Sequence, residues 1–363
     1  MSVLKNRIAL SLVKGLGPKT SRILISEFGG VDEIFGATDN NLLKTPKISP
    51  AIVQSIRDPY VFDRAAQEVS FIERNNVKPL FYLDSDYPKR LEFCEDAPIL
   101  LYAKGNLNFN NRKVIAVVGT RNSTAYGRDM CERVISDLAN YNPLIISGLA
   151  MGIDSAAHKA AVDNNLQTVG VLAHGVDSVY PPSSRAIAAK MLTNGGVLSE
   201  FMSGTVPIRE NFPTRNRVIA GMCDALIIVE SKKRGGSIIS AELAFGYNRE
   251  VFAVPGKASD TLSEGCNDLI KYQKAIMITD GKDVAREMNW SAPSSKQKQP
   301  ELFPDLSVNE KTILEAIRNN SGLAIDDLGL RTGVSPSELA QILLQLEFKG
   351  LVRALPGKIY ESA

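Results

Sequence analysis

VIAVVG at residues 114–119 is followed by the helical stretch GRDMCERVISDLANY at 127–141 and then by LIIS at 144–147. The two outer pieces are short, uninterrupted and rich in β-branched residues, the pattern of strands covered on both faces. The same pattern recurs in TVGVL (168–172), VLS (197–199), ALIIV (225–229), VFAV (251–254) and IMI (276–278), with helical stretches between most of them. Such alternation implies right-handed crossovers and a doubly wound α/β sheet. Ligands in such sheets bind beyond the carboxyl ends of the strands. The loops after the strands are therefore where chemistry is expected.

The 363 residues exceed what one core accommodates, and the chain reads as several domains. The sheet occupies 101–290. Residues 1–100 form a helical domain plus connector, in which GLGPKTSRILISEFGG at 15–30 has the pattern of a helix-hairpin-helix. Gly15 and Gly17 make its turn, Pro18 opens the second helix, and the turn offers N–H groups that suit a phosphate. A weaker echo follows at 42–56. Acids and bases balance at 13 each over residues 1–100, so a purely structural helical module fits equally well. The polar segment SAPSSKQKQP begins a linker at 291–304, and 305–363 form a small C-terminal module.

Four loops carry the candidate site. GTRNSTAYGR (119–128) offers Gly119 for a sharp turn, Thr120, Ser123 and Thr124 as hydroxyls, one of them a helix cap, and Arg121 as a fork for phosphate. SGLAMGIDSAAH (147–158) leaves the strand at Ser147 and Gly148, and Gly152 permits close backbone approach. Asp154 reads there as a bracing carboxylate and His158 as a packing histidine. In IRENFPTRNRVIAG (208–221), Pro213 and Thr214 look like a helix entry with Arg215 and Arg217 in its first turn. Two residues are about 200° apart on a helix, so both cannot face one phosphate. One is expected on the ligand and the other on a carboxylate, Glu200 or Glu230. Phe212 can stack a base if exposed. SKKRGGSIISAELAFG (231–246) adds Gly235 and Gly236 as a turn and Ser237 as an N-cap. Between Arg185 and Arg234 stand eight basic residues against four acidic ones. This excess, inside a chain of net charge +2, points to an anion groove rather than a generally basic protein.

Several functions are disfavoured. The first loop is neither GxGxxG nor a Walker loop, and SGLAMG is not a nucleophile elbow. No acid/base pair stands beside the arginines, so no catalytic residue is assigned. Cys94, Cys131, Cys223 and Cys266 lie far apart and read as buried, reduced thiols, so neither a metal nor a cofactor is expected. No apolar run reaches membrane-spanning length, and MSVLKNRIALSLVKG at 1–15 lacks the long apolar region and cleavage site of a secretory leader, so a cytoplasmic location is expected.

Read in order, VVGTRNSTAYG, SGLAMGIDSAAH, VLAHGVDSVYPP, LSEF, FPTRNRVIAG, GGSIISAELA, REVFAVPG and GCNDLI resemble the motif series of the DprA/Smf family of DNA-processing proteins. The likeness is close over about 110–290, and the flanking modules match longer members. It implies a Rossmann-like domain that binds single-stranded DNA without reading sequence, dimerises, protects incoming DNA and loads a RecA-type recombinase during natural transformation. The family's Gly-Ser/Thr-Arg loop falls on Gly119, Thr120 and Arg121. Its FPxRNR stretch falls on Phe212, Pro213, Arg215, Asn216 and Arg217, and two further basic positions fall on Arg209 and Arg185. With Ser147, Gly148, Gly152, Gly236 and Ser237, these make up the expected DNA-binding set. Two places depart from the family: SGSLIT reads GGSIIS at 235–240, and the Gly-Ala after GCNxLI reads Gln273, Lys274, Ala275.

Residues 308–319, 324–332 and 335–348 read as three helices, and LVRALPGKIYES as a two-stranded wing, a pattern resembling a winged helix. Its third helix opens SPSELAQ without a cation, and residues 301–363 hold six bases against nine acids. A groove-reading helix needs donors for phosphates and bases, so this is expected to be a protein-contact or accessory module and not the main DNA site. A competing enzyme reading rests on GGSIISAE at 235–242. It faintly resembles the PGGxGTxxE motif of nucleoside-monophosphate phosphoribohydrolases, with Glu242 as the acid.

Overall fold

The computed structural model describes residues 3–110, 113–291, 306–318, 323–355 and 359–362. It divides into two compact units, Met1–Pro293 and Ser294–Ala363.

The first unit is built on a nine-stranded sheet. Its strands are β1 (Lys78–Phe81), β2 (Leu100–Gly105), β3 (Val114–Val118), β4 (Leu144–Ser147), β5 (Thr168–Leu172), β6 (Gly195–Ser199), β7 (Ala225–Ile228), β8 (Glu250–Ala253) and β9 (Ile276–Met277). Their spatial order is β1-β2-β6-β5-β4-β3-β7-β8-β9. The seven strands from β6 to β9 are parallel, and all seven were expected from the apolar runs. The chain winds outward from β3 to β6, then returns to place β7 on the other side of β3. That reversal opens a crevice between the ends of β3 and β7, where such sheets take ligands.

Alternation along the buried strands sends side chains to two separate cores. Ile115 and Val117 face one layer with Ile145, Cys131 and Ile153, while Ala116 and Val118 face the other with Ile146, Val218 and Leu226. The helix Ile153–Asp163 packs closely because Ala157, Ala160 and Ala161 are small. The four cysteines are free and buried.

The sheet also draws on β1 and β2: β1 pairs antiparallel with β2, and β2 antiparallel with β6. These lie in and beside the stretch whose pattern is otherwise helical. β1 is only four residues long and contains Pro79, which is acceptable there because β1 is an edge strand. Upstream, the helices Val3–Leu12 and Pro18–Phe28 flank the Gly15–Gly17 turn as expected, with Gly15 at φ 80° and Pro18 opening the second helix. Their apolar sides share a core with Leu149, Leu172 and Val197, which docks the helical segment on the sheet domain.

In the second unit the helices are Val308–Arg318, Ile325–Thr332 and Pro336–Phe348. They pack Ile313, Leu328, Leu343 and Leu346 against a small sheet of β10 (Leu323–Ala324), β11 (Val352–Leu355) and β12 (Ile359–Ser362). This is a winged helix. The wing turn at Pro356 and Gly357, and nearly all of the linker, lie outside the described residues.

Candidate nucleic-acid interface

Four loops meet at the crevice between β3 and β7. A cavity of about 290 Å³ is lined by Gly119, Thr120, Arg121, Asp154, Phe212, Arg215, Asn216, Lys232, Arg234, Gly236 and Ser237, among others. A smaller one, about 50 Å³, is lined by Arg121, Gly148, Met151, His174, Tyr180 and Phe212. Arg121 and Phe212 line both. The Arg121 guanidinium lies 4.8 Å from the Phe212 ring centre, a cation–π distance. Among the described residues Arg121, Lys232 and Arg234 form no salt bridge.

The first loop is held from below by a carboxylate. Glu230, at the end of β7, accepts hydrogen bonds from the Thr124 N–H (2.9 Å) and hydroxyl (2.5 Å), and its carbonyl accepts from the Thr120 N–H (2.8 Å). Thr124 in turn caps the helix Ala125–Leu138 through the Gly127 N–H. Glu230 is therefore a brace for the loop, not the partner of an arginine.

The second loop is drawn tightly under the first. Gly152 has φ 81° and ψ −129°, and a Cβ there would overlap the carbonyl oxygens of Thr120 and Arg121. Asp154 accepts from the Gly148 N–H (3.1 Å), the bracing role expected of it. Burial raises its pKa, and the Arg215 charge opposes that. Ser147 sits deeper than a contact residue would: it is fully buried and its hydroxyl donates to the Val117 carbonyl (2.6 Å).

The third loop corrects the sequence-based expectation. The helix begins at Asn211, not at Pro213, and runs to Met222. Proline is tolerated in this first turn because N–H groups there have no partner within the helix. Arg215 and Arg217 do diverge, but neither is left for the surface. Arg217 is ion-paired to Glu200 and also bonds the Asp96 carbonyl. Arg215 is 4% exposed and donates to the carbonyls of Gly148 (2.6 Å) and Val171 (2.5 Å). Burial lowers its pKa to about 10, with Arg121 adding repulsion and Asp154 opposing; it stays charged at neutral pH. Asn216 accepts from Arg215 Nε and reaches the Gly236 carbonyl (3.5 Å).

In the fourth loop Gly235, not Ser237, is the N-cap of the helix Gly236–Gly246. Ser237 is inside the first turn, and its hydroxyl donates to Ser231 Oγ (2.7 Å). Lys232 and Arg234 line the cavity while Lys233 turns away to Asp268 (3.1 Å). The KKR run carried this signal, but only the alternation of side chains sorts its members. Arg185 and Arg209 are exposed and line neither cavity. Met151, His174 and Tyr180 line the smaller cavity and had no signal in the sequence beyond their place in the loops. Glu242 is 57% exposed at its side chain, lies 3.8 Å from Lys274 and lines neither cavity. The acid required by the phosphoribohydrolase reading is thus outside the crevice.

His158 is wholly buried, as expected of a packing residue. Thr168 donates to the Ile145 carbonyl, so its oxygen accepts from His158 Nδ1–H (2.7 Å). Burial, and secondarily Arg215, lowers the His158 pKa to about 3. The unfolded chain takes up this proton near the ordinary pH of about 6.5, and the folded chain only near pH 3. Stability from this site is therefore full above about 6.5 and falls as pH drops. We expect the stability difference between the parent and His158→Gln, read by urea titration, to shift by about 2 kcal/mol against the parent between pH 7 and pH 5.

No helix among the described residues is long and apolar enough to cross a membrane. Nor, among them, does any group of three His, Cys, Asp or Glu stand ready for a metal ion.

A family model described as DNA recombination-mediator protein A matches residues 78–289, and one described as the DprA winged helix domain matches 297–358. DNA processing protein DprA of Streptococcus pneumoniae is 42% identical over 208 residues, covering 57% of this chain and 73% of that protein. Protein Smf of Escherichia coli is 34% identical over 284 residues, covering 75% and 74%. Among solved structures, DprA from Streptococcus pneumoniae aligns with a TM-score of 0.63 and 33% identity over 79% of this chain and 99% of that one. DNA processing protein A from Helicobacter pylori, studied for its single-stranded DNA binding mode, aligns at 0.54 and 27% over 59% and 95%. With its sheet, its strand-end loops and its winged helix all matched, this chain belongs to the DprA/Smf family of DNA recombination mediators.

Proposed function

We propose that the crevice between β3 and β7 binds single-stranded DNA by its phosphates, without reading base sequence. The observation that carries this is the convergence of Arg121, Lys232 and Arg234, none of them ion-paired among the described residues, on one cavity that also holds Phe212. Exposed Met151, Tyr180 and Ile239 line the same two cavities and suit the faces of unpaired bases. Arg185 and Arg209, exposed just beyond, extend the positive surface for a longer strand. Gly119, Thr120, Gly236 and Ser237 supply backbone at the rim, whereas Ser147, Gly148, Gly152, Arg215, Asn216 and Arg217 shape it. The relative from Helicobacter pylori, known for single-stranded DNA binding, supports the same ligand here.

On this reading the protein is a mediator and not an enzyme. It protects incoming strands and loads a RecA-type recombinase on them during natural transformation. A homodimer fits as well: β9 is an open sheet edge whose Ile276 and Met277 are exposed, with Phe245 and Tyr272 exposed nearby. Light scattering reads that mass directly.

The test is fluorescence anisotropy of labelled oligothymidylate across a salt series. Binding should weaken linearly in log–log form as salt rises. Lys232→Ala and Arg234→Ala should each lower the slope by about 0.7, the contribution of one phosphate on a single strand. A slope unchanged in both variants would remove the cavity as the DNA site.

A further inference from the structure

Arg215 stands at a family position that suggests a phosphate contact, yet its side chain is consumed inside the fold. Its Nη1 bridges the carbonyls of Gly148 and Val171, and its Nε donates to Asn216 Oδ1 (3.1 Å). Gly148 makes the bridge sterically feasible, because any Cβ there would overlap the guanidinium. From Gly148 the contacts continue toward the first loop. Its N–H donates to Asp154, and the Ile153 N–H donates to the Thr120 carbonyl (3.2 Å). Gly152 lies directly against the peptide oxygens of Thr120 and Arg121. An unbroken series of packed groups thus joins Arg215 to the backbone that carries Arg121.

We propose that Arg215 is a positioning residue: it pins the segment 148–153, and through that segment holds Arg121 in place for the strand, without touching DNA itself. This rests on the reading of the crevice as a single-strand site. A direct phosphate contact and a general stabiliser are the competing roles, and coupling to Arg121 separates all three. If Arg215 works through Arg121, its loss matters only while Arg121 is present.

The experiment compares oligothymidylate affinity for the full chain, Arg121→Ala, Arg215→Lys and the double variant. Lysine retains the charge but lacks the planar fork that spans two carbonyls and Asn216. Arg215→Lys is expected to weaken binding roughly ten-fold in the parent, the worth of one charge-assisted contact, and less than two-fold in Arg121→Ala. Hydrogen exchange should rise in peptides covering 148–153 and 119–122 and stay unchanged in the winged-helix unit. A full ten-fold loss in both backgrounds would overturn the proposal, as would unchanged exchange at 119–122. Should Arg215→Lys fold poorly, Gly148→Ala displaces the guanidinium while leaving every ionisable group in place, and the same two comparisons apply. If Arg121→Ala binds as the parent does, the crevice reading fails on its own, while exchange at 119–122 still decides what Arg215 holds.

Discussion

Gly152→Ala should lower the thermal midpoint by on the order of 5–10 °C and strip most single-strand binding. Two costs combine. The backbone at φ 81° and ψ −129° is open to glycine and strained for any L side chain. The added methyl would also enter the space held by the carbonyls of Thr120 and Arg121, which are backbone and cannot rotate away. Strain and overpacking together come to roughly 3 kcal/mol or more, and for a unit of this size each kcal/mol moves the midpoint by about 2–4 °C. Gly236→Ala is the matched control. A Cβ there meets nothing within 4 Å, and stability should stay within about 0.5 kcal/mol of the parent. A Gly152→Ala protein that melts and binds like the parent would mean that the second loop does not bear on the first.

Arg121→Ala combined with Phe212→Ala is expected to weaken oligothymidylate binding a hundred-fold or more, with little change in melting. A base stacked on an aromatic ring is worth about 1–3 kcal/mol, and a charge-assisted contact about 1.5–3 kcal/mol. The two side chains touch, so their losses will not add fully. Arg121 is exposed and Phe212 half-buried, which is why stability should survive. Anisotropy at fixed salt reads the first quantity and differential scanning fluorimetry the second. A combined loss under ten-fold would place the strand elsewhere on the molecule.

Much of this arrangement was legible from residue patterns. The seven parallel strands declared themselves because a strand buried on both faces must be apolar throughout, as VIAVV and ALII are. β1 did not, since a four-residue edge strand with a proline gives no such signal. Within the site, Arg121, Lys232 and Arg234 could be placed near the crevice from their loops. The fates of Arg215 and Arg217 could not. Their spacing showed that they diverge, but which groups they meet depends on Gly148, Val171, Glu200 and Asp96, all distant in sequence. Glu200 was one of two carboxylates that the residue types allowed for Arg217. The other, Glu230, serves Thr124, because β7 lies directly beside β3 and the residues just after it fall under the first loop.

The reversal of winding at β3 has a consequence for biosynthesis. Arg121 and Phe212 precede β7, while Lys232 and Arg234 follow it. A nascent chain emerging from the ribosome therefore holds half of the crevice until residues 225–246 are translated and slot in beside β3. On the proposed reading of the crevice, messenger or ribosomal RNA meets no completed grip during most of translation.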